Sequence, residues 1–164
     1  MELEYCSLTF RDEPTDNDRE NVRRIVESSG FFYPAEIDVA VELVDERLTK
    51  GPASGYHFVF VECDGKTVGY SCYGPIAATQ GSFDLYWIAV DQSCRGKGLG
   101  QALLRETEAR IRRDGGRRVY IETSNRPQYV PTRAFYIRSG YELEAVLKEF
   151  YAPGDDKAMY VKAV

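Results

Sequence analysis

The sequence predicts a layered α/β domain with the element order β-α-α-β-β-β-α-β-α-β-β. Runs rich in β-forming residues alternate with segments whose apolar residues recur at helical spacing. Asp64 and Gly65 join two β-rich runs and form a strong hairpin signal. A glycine-rich stretch, residues 94–100, lies between a predicted strand and a predicted helix. A chain of 164 residues fits a single core, so residues 1–164 are predicted to form one domain.

The first part of the chain is predicted as one strand followed by two helices. Residues 3–10 are rich in β-formers, and the turn after them offers Thr15 or Asp16 as a helix cap. Gly30 is a suitable stop for the first helix. The second helix, in residues 34–51, has the clearest amphipathic pattern. Its apolar residues are Ile37, Val41, Val44 and Leu48, and those of the first helix are Val22, Ile25 and Val26.

The remaining elements are predicted from the same signals. Residues 56–74 and 81–90 contain three β-rich runs that form an antiparallel meander. Two less regular segments, 75–82 and 124–131, are predicted as loops. The other predicted elements are a helix at 99–113, a strand at 117–123, a short helix after Pro131, and strands around 142–151 and 158–163.

Composition excludes several classes of function. The formal net charge of -5 and the pI near 5.0 argue against nucleic acid as a partner and fit a cationic small substrate better. No apolar run approaches the roughly 18 residues that a membrane span needs, and the acidic start lacks the basic region of a signal peptide. We therefore expect a cytoplasmic protein without a membrane partner.

Cysteine and histidine usage predicts neither a metal site nor a disulfide framework. Cys6, Cys63, Cys72 and Cys94 are widely spaced and include no CxxC pair. The only histidine, His57, has no sequence partner that would indicate a catalytic triad, and we interpret it as structural. The four thiols are expected to be reduced, with Cys94 the most reactive because it adjoins the glycine-rich stretch.

The stretch CRGKGLG, residues 94–100, is chemically suited to bind a diphosphate. The N-terminus of a helix presents backbone N–H groups without intrahelical partners and attracts anions. Glycines allow close approach and unusual φ angles, and Arg95 and Lys97 add positive charge. The pattern is neither a P-loop nor a dinucleotide fingerprint. From the residues alone, a tight turn with solvent-facing cations is an equal alternative.

Residues 90–104, VDQSCRGKGLGQALL, resemble the acyl-CoA signature of the GCN5-related N-acetyltransferase (GNAT) superfamily, Q/R-x-x-G-x-G/A. The resemblance continues through WIAVD, YIETSN and TRAFYIRSGYELE and covers residues 83–162. It implies the GNAT fold, in which helices flank a central mixed, mostly antiparallel sheet. It also implies that one loop holds the pyrophosphate of coenzyme A, here Arg95, Gly96, Lys97, Gly98, Leu99, Gly100 and Gln101.

The resemblance implies an acetyl-CoA-dependent N-acetyltransferase that moves an acetyl group directly to a primary amine, without a metal. Main-chain N–H groups of Ile88, Ala89 and Val90 would stabilise the oxyanion and pair with the pantetheine amides. The acceptor is left open between a small-molecule amine and an amino group of a peptide or protein, and assembly as a homodimer is also left open. A non-catalytic acyl-CoA-binding sensor is the alternative function.

Two acidic residues are candidates for the general base. Glu122 lies in a strand that we expect to be covered on both faces, where burial would raise its pKa. An exposed or ion-paired glutamate is the alternative, and the resemblance favours Glu122 because several family members place a base glutamate at this position. Asp84, near the start of the fourth strand, is ranked second.

Tyr136 matches the family tyrosine that faces the coenzyme sulfur, and a phenol with a pKa of about 10 can protonate a thiolate. Without the motif, a packing role would be favoured. The sequence departs from the family where an asparagine often precedes this tyrosine by seven residues, since Tyr129 stands there and Asn125 lies further upstream. The aromatic residues expected near the acceptor are Phe31, Phe32, Tyr33, Phe150 and Tyr151.

Overall fold

A computed structural model describes residues 6–164 of the chain. The predicted element order is confirmed, and residues 3–5 of the predicted first strand lie outside the described residues. The helices are α1 (Asp18–Ser28), α2 (Pro34–Lys50), α3 (Leu99–Arg113) and α4 (Val130–Arg138). The strands are β1 (Leu8–Arg11), β2 (His57–Cys63), β3 (Lys66–Pro75), β4 (Ser82–Val90), β5 (Arg118–Ser124), β6 (Glu142–Ala152) and β7 (Asp155–Ala163).

The strands form one seven-stranded sheet in the order β1-β2-β3-β4-β5-β7-β6. Strands β4 and β5 are parallel, whereas β1 with β2, β2 with β3, β5 with β7, and β6 with β7 are antiparallel. The hairpin between β2 and β3 turns at Asp64 and Gly65, whose φ angles are 50° and 83°, as an Asp-Gly turn requires. The prediction of a mixed, mostly antiparallel sheet flanked by helices is confirmed.

Two compact units make up the described chain. One contains the residues up to Gly74 together with Trp87–Ala109, and the other contains Pro75–Tyr86 and Arg110–Val164. The proposal that residues 1–164 form a single domain therefore stays a prediction, and each unit is described by itself below.

The core of the first unit lies between α1, α2 and the strands β2 and β3. The predicted apolar stripes of both helices face this core, because Val22, Ile25, Val26 and Val44 are almost fully buried. The facing aromatic rings come from Phe58, Phe60 and Tyr70.

A buried ion pair also holds the first unit together. The Arg11 guanidinium donates to both carboxylate oxygens of Asp18, at 2.7 and 2.6 Å, and Asp18 has an exposed fraction of 0%. Burial alone would raise the pKa of Asp18, but hydrogen bonds from Arg11, the Asn21 side chain and the Thr15 backbone, with the charge of Arg11, outweigh it and lower the pKa. The pair connects β1 to the first turn of α1.

In the second unit, β6 contains a bulge at residues 148–151, which include Phe150 and Tyr151. Leu147 pairs with Lys157 and Ala152 pairs with Asp155, so residues 148–151 of β6 lie opposite a single residue of β7. Glu149 in this bulge has a φ of 51°, and its N–H donates to the Asp156 carboxylate at 2.8 Å.

One expectation about the cysteines is wrong. Cys6 and Cys63 form a disulfide with a Cα–Cα distance of 5.6 Å, whereas the chain was expected to carry only reduced thiols. Widely separated positions come together because β1 pairs with β2, which their sequence spacing cannot indicate. Cys72 and Cys94 are free and buried.

His57 has a structural environment. The Arg47 guanidinium lies 3.1 Å from its Nδ1 atom, and its ring stacks on Tyr73. Among the described residues, none of the helices combines the length and apolarity that crossing a membrane requires.

Candidate functional site

The glycine-rich stretch folds as the sequence predicts, as a turn that leads directly into α3. A short 3-10 turn, Gln92–Cys94, precedes Arg95, and α3 begins at Leu99. Gly96 and Gly98 have φ angles of 77° and 76°, in the left-handed region that L side chains avoid. A Cβ atom at either glycine would meet nothing within 4 Å, so the space over the loop backbone is open.

The first turn of α3 supplies backbone donors at this open surface. The first N–H groups of a helix have no carbonyl four residues earlier within the helix to bond. In α3 the Ala102 N–H already bonds the Gly98 carbonyl, at 3.1 Å, so the donors available to a ligand come before Ala102. Arg95 and Lys97 are exposed in the preceding turn. This chemistry fits an anionic diphosphate, and the open backbone at Gly96 and Gly98 fits its close approach.

Sequence reasoning missed the groups that support this loop. The Asp91 carboxylate accepts from the Ser93 N–H at 3.0 Å and from the Arg24 guanidinium of α1 at 2.7 Å. Arg24 also donates to the Thr67 carbonyl at 2.7 Å. An aspartate two residues before a backbone N–H is a recognisable capping signal, but the partnership with Arg24 depends on tertiary structure.

Four other residues of the first unit that the sequence analysis named are less exposed than the two cations of the glycine-rich stretch. Ile88, Ala89 and Val90 form the end of β4 and are partly buried. Cys94 is 1% exposed and lies 3.6 Å from the Ser93 hydroxyl. Burial thus opposes the high reactivity expected of this thiol.

The second unit contains a pocket of about 240 Å³ that brings both candidate carboxylates to one place. Its lining residues are Asp84, Leu85, Tyr86, Glu122 and Tyr151.

Glu122 does not have the buried environment expected from the sequence. Its side chain is 43% exposed and forms an ion pair with Lys157, with 2.9 Å between Oε2 and Nζ. The expectation fails because the burial pattern of β5 leaves this position exposed, although Ile121 and Thr123 beside it are buried. The ion-paired alternative is therefore the one observed.

Asp84, the second-ranked candidate, has the environment expected of Glu122. Its pKa is raised above the usual value, first because burial penalises the carboxylate and second because the Glu122 charge repels it. The Lys157 charge acts in the opposite direction. Asp84 lies near the start of β4, where carboxylates are common, so its burial could not be predicted from the sequence.

Tyr151 and Lys157 complete the electrostatics of the pocket. Burial, followed by the charges of Glu122 and Asp155 and the influence of Tyr129, raises the pKa of Tyr151 to about 12. The Lys157 ammonium lies 4.1 Å from the centroid of the Phe150 ring. Tyr151 and Phe150 were expected near the acceptor, whereas the role of Lys157 was missed because its pairing with Glu122 depends on β7 lying beside β5.

Tyr136 is 7% exposed and lies among aromatic rings. The rings of Tyr141 and Tyr160 are centred 6.1 and 6.3 Å from its own. Burial raises the pKa of the Tyr136 phenol well above its usual value, which keeps the phenol protonated at neutral pH. Asn125 uses its backbone N–H to bond the Asp156 carbonyl at 2.9 Å.

Comparison with known proteins identifies the family. A model of the acetyltransferase (GNAT) domain matches residues 54–143. An uncharacterized N-acetyltransferase of Methanocaldococcus jannaschii is 32% identical over 105 residues, which make up 64% of this chain. The match spans 65% of the length of that relative.

One solved structure gives the same result, and a second, more distant one shares the fold. A protein assigned to the GNAT family, from Desulfovibrio desulfuricans, is 52% identical and has a TM-score of 0.94, with 96% of this chain and 99% of that chain covered. An aminoglycoside 6'-N-acetyltransferase complexed with coenzyme A is 17% identical, with a TM-score of 0.77 and 96% of each chain covered.

The chain belongs to the GNAT family of acetyltransferases, as the family model shows. Both the resemblance and the fold predicted from the sequence are thereby confirmed. These matches favour a transferase over the non-catalytic sensor that was the alternative.

Proposed function

We propose that the protein is an acetyl-CoA-dependent N-acetyltransferase that acts on a primary amine by direct transfer. The observation that carries the proposal is the loop at the start of α3, whose signature glycine Gly98 and its neighbour Gly96 adopt positive φ angles and leave the backbone open. The groups proposed to hold the coenzyme pyrophosphate are those of Arg95, Gly96, Lys97, Gly98, Leu99, Gly100 and Gln101.

Backbone N–H groups of Ile88, Ala89 and Val90 are proposed to bind the pantetheine amides and the developing oxyanion. Coenzyme A supplies the acetyl group as a thioester, which is an activated carbonyl. The protein's own part in the chemistry is to orient the donor, to remove a proton from the amine and to return a proton to the departing sulfur.

A carboxylate of the pocket is proposed to accept the amine proton. Glu122 occupies the position that the family resemblance implies. Asp84 is the second candidate and is favoured by its raised pKa, because a general base works best when its pKa lies near the working pH. Tyr136 is proposed as the proton donor to the thiolate because it matches the family tyrosine. Its raised pKa keeps it protonated before the transfer and also makes it a weaker acid.

The acceptor is proposed to be a small-molecule amine or an amino group of a peptide or protein. Two carboxylates in one pocket favour a cationic acceptor over nucleic acid. A cytoplasmic location, the absence of a metal and assembly as a homodimer remain proposals on the strength of the sequence.

The test is release of free thiol from acetyl-CoA with a panel of amines, including aminoglycosides, polyamines and peptides. We expect at least one amine to give turnover, and Tyr136→Phe to lower kcat by about 10-fold or more. Replacing both carboxylates, as Asp84→Asn with Glu122→Gln, should lower kcat by about 100-fold or more.

Binding is measured separately from turnover. Acetyl-CoA at 100 times its dissociation constant should stabilise the fold by about 2.7 kcal/mol in a thermal-shift experiment. Stabilisation without turnover on any amine would support the sensor function instead. No stabilisation would contradict both functions.

A further inference from the structure

The Lys157 ammonium is buried beside the pocket that contains Asp84 and Glu122. Its side chain is only 10% exposed, and its Nζ atom lies 2.9 Å from the Glu122 carboxylate. A lysine is rarely buried to this extent without a specific partner. The pairing is a consequence of the sheet, because Glu122 lies opposite Met159 and Ser124 lies opposite Lys157 in the β5–β7 ladder.

The bulge in β6 completes the enclosure of this ammonium. Phe150 comes from residues 148–151, the segment that departs from the regular β6 ladder, and its ring centroid is 4.1 Å from the Lys157 Nζ atom. An aromatic face at this distance attracts a cation. The Lys157 ammonium is thus held from two directions, by a carboxylate of β5 and by a ring of β6.

The two pocket carboxylates consequently have different surroundings. Glu122 has a cation in hydrogen-bonding contact, whereas Asp84 is half-buried. The charged and titratable groups acting on this pocket are Asp84 of β4, Glu122 of β5, Tyr151 of β6 and Lys157 of β7, with Asp155 and Tyr129 acting on Tyr151. Two acids whose environments differ in this way take different roles in acid–base chemistry.

We propose that Lys157 is a positioning residue that holds Glu122 in an ion pair and leaves Asp84 as the carboxylate that takes the proton from the acceptor amine. This inference rests on the proposed acetyltransferase function. In the transfer, the amine nitrogen forms the new C–N bond, the C–S bond of the thioester breaks, the amine proton goes to Asp84 and the departing thiolate takes a proton from Tyr136. Exchange with solvent then returns the proton of Asp84 to the bulk and a proton to the Tyr136 phenolate.

Single substitutions separate the two carboxylates. Asp84→Asn should lower kcat by about 100-fold or more, because it removes the proton acceptor. Glu122→Gln and Lys157→Met should each lower kcat less, by about 10-fold, and the double variant should lose no more than either single variant, since the two residues act as one pair. Additive losses from Glu122→Gln and Lys157→Met, or a larger loss from Glu122→Gln than from Asp84→Asn, would overturn the proposal.

The pH profile gives a readout that a merely structural role would not change. Lys157 lowers the pKa of Asp84, so Lys157→Met should move the acid limb of kcat/KM to higher pH. Lys157→Arg should restore the wild-type profile. Arg112→Met, which removes a cation at an exposed position of the same unit, should leave the profile unchanged.

An experiment without turnover keeps this inference distinct from the proposed function. The carboxyl carbon of Asp84 can be titrated by NMR in the wild-type protein and in Lys157→Met, with Asp84→Asn used to assign the signal. We expect an upward shift of the Asp84 midpoint in Lys157→Met and a return with Lys157→Arg. An unchanged midpoint would overturn the inference even in an active enzyme, and the expected shift in a protein without turnover would locate the failure in the proposed function.

Discussion

At the scale of single residues, the buried carboxylate of Asp18 contributes to stability through its ion pair with Arg11. It is fully buried and accepts two hydrogen bonds from Arg11, which itself also contacts Glu62 at 2.7 Å. Removing one member of a buried pair leaves the other charge without its partner, and this typically costs more than the pair contributes.

Asp18→Asn should therefore lower the free energy of unfolding at pH 7 by about 3 kcal/mol. Because the folded-state pKa of Asp18 is lowered, its contribution is present above the unfolded-state value of about 3.9 and is lost as pH falls through the folded-state value. Urea unfolding of both proteins at pH 7 and pH 2.5 measures this. An equal difference at the two pH values would contradict the expected linkage, and Asp16→Asn, at a side chain 92% exposed, is the control.

At the scale of elements, the turn between β4 and α3 needs glycine at positions with positive φ, and the same glycines lie in the loop proposed to bind coenzyme A. Gly98 has a φ of 76° and open space beside it, so a side chain there would strain the backbone and extend into the volume proposed for the pyrophosphate. Gly30, after α1, has a φ of 65° and equally open surroundings but no predicted ligand. The two glycines form a matched pair for an experiment.

Gly98→Ala and Gly30→Ala should each cost about 1 kcal/mol of stability, since both place a Cβ atom in the left-handed region. Only Gly98→Ala should weaken acetyl-CoA binding, by about 10-fold or more, as measured by calorimetric titration. Equal affinities in the two variants would show that the loop does not contact the coenzyme closely.

Helices, strands and turns could be predicted from the sequence where neighbouring residues alone determine the structure. The spacing of Ile37, Val41 and Val44 fixes the buried face of α2, and Asp64-Gly65 determines the hairpin turn. The environments of the pocket carboxylates could not be predicted in this way. They depend on which face of β5 is exposed and on Lys157 of β7, which the β5–β7 ladder brings near Glu122.

At the scale of the whole molecule, the number of cooperative units is open to a direct measurement. Contacts divide the described chain into two compact units. The length of 164 residues is typical of one domain.

The single-domain prediction implies one thermal transition in differential scanning calorimetry, with equal calorimetric and van't Hoff enthalpies. The expected enthalpy is about 0.7 kcal/mol per residue near 60 °C. Two resolved transitions, or a calorimetric enthalpy well above the van't Hoff value, would show that the units unfold separately.

The bulge in β6 has a consequence for evolution and engineering. Residues 148–151 depart from the ladder, and the pairing resumes at Ala152 with Asp155 in a shifted register. Substitutions at Phe150 and Tyr151 would change the rings beside Lys157 and the pocket, while β7 stays paired with β5. Combinatorial libraries confined to these four positions would therefore vary the rings beside the pocket without changing the loop that we propose to bind the acyl donor, which makes the bulge a suitable place to select for new acceptors.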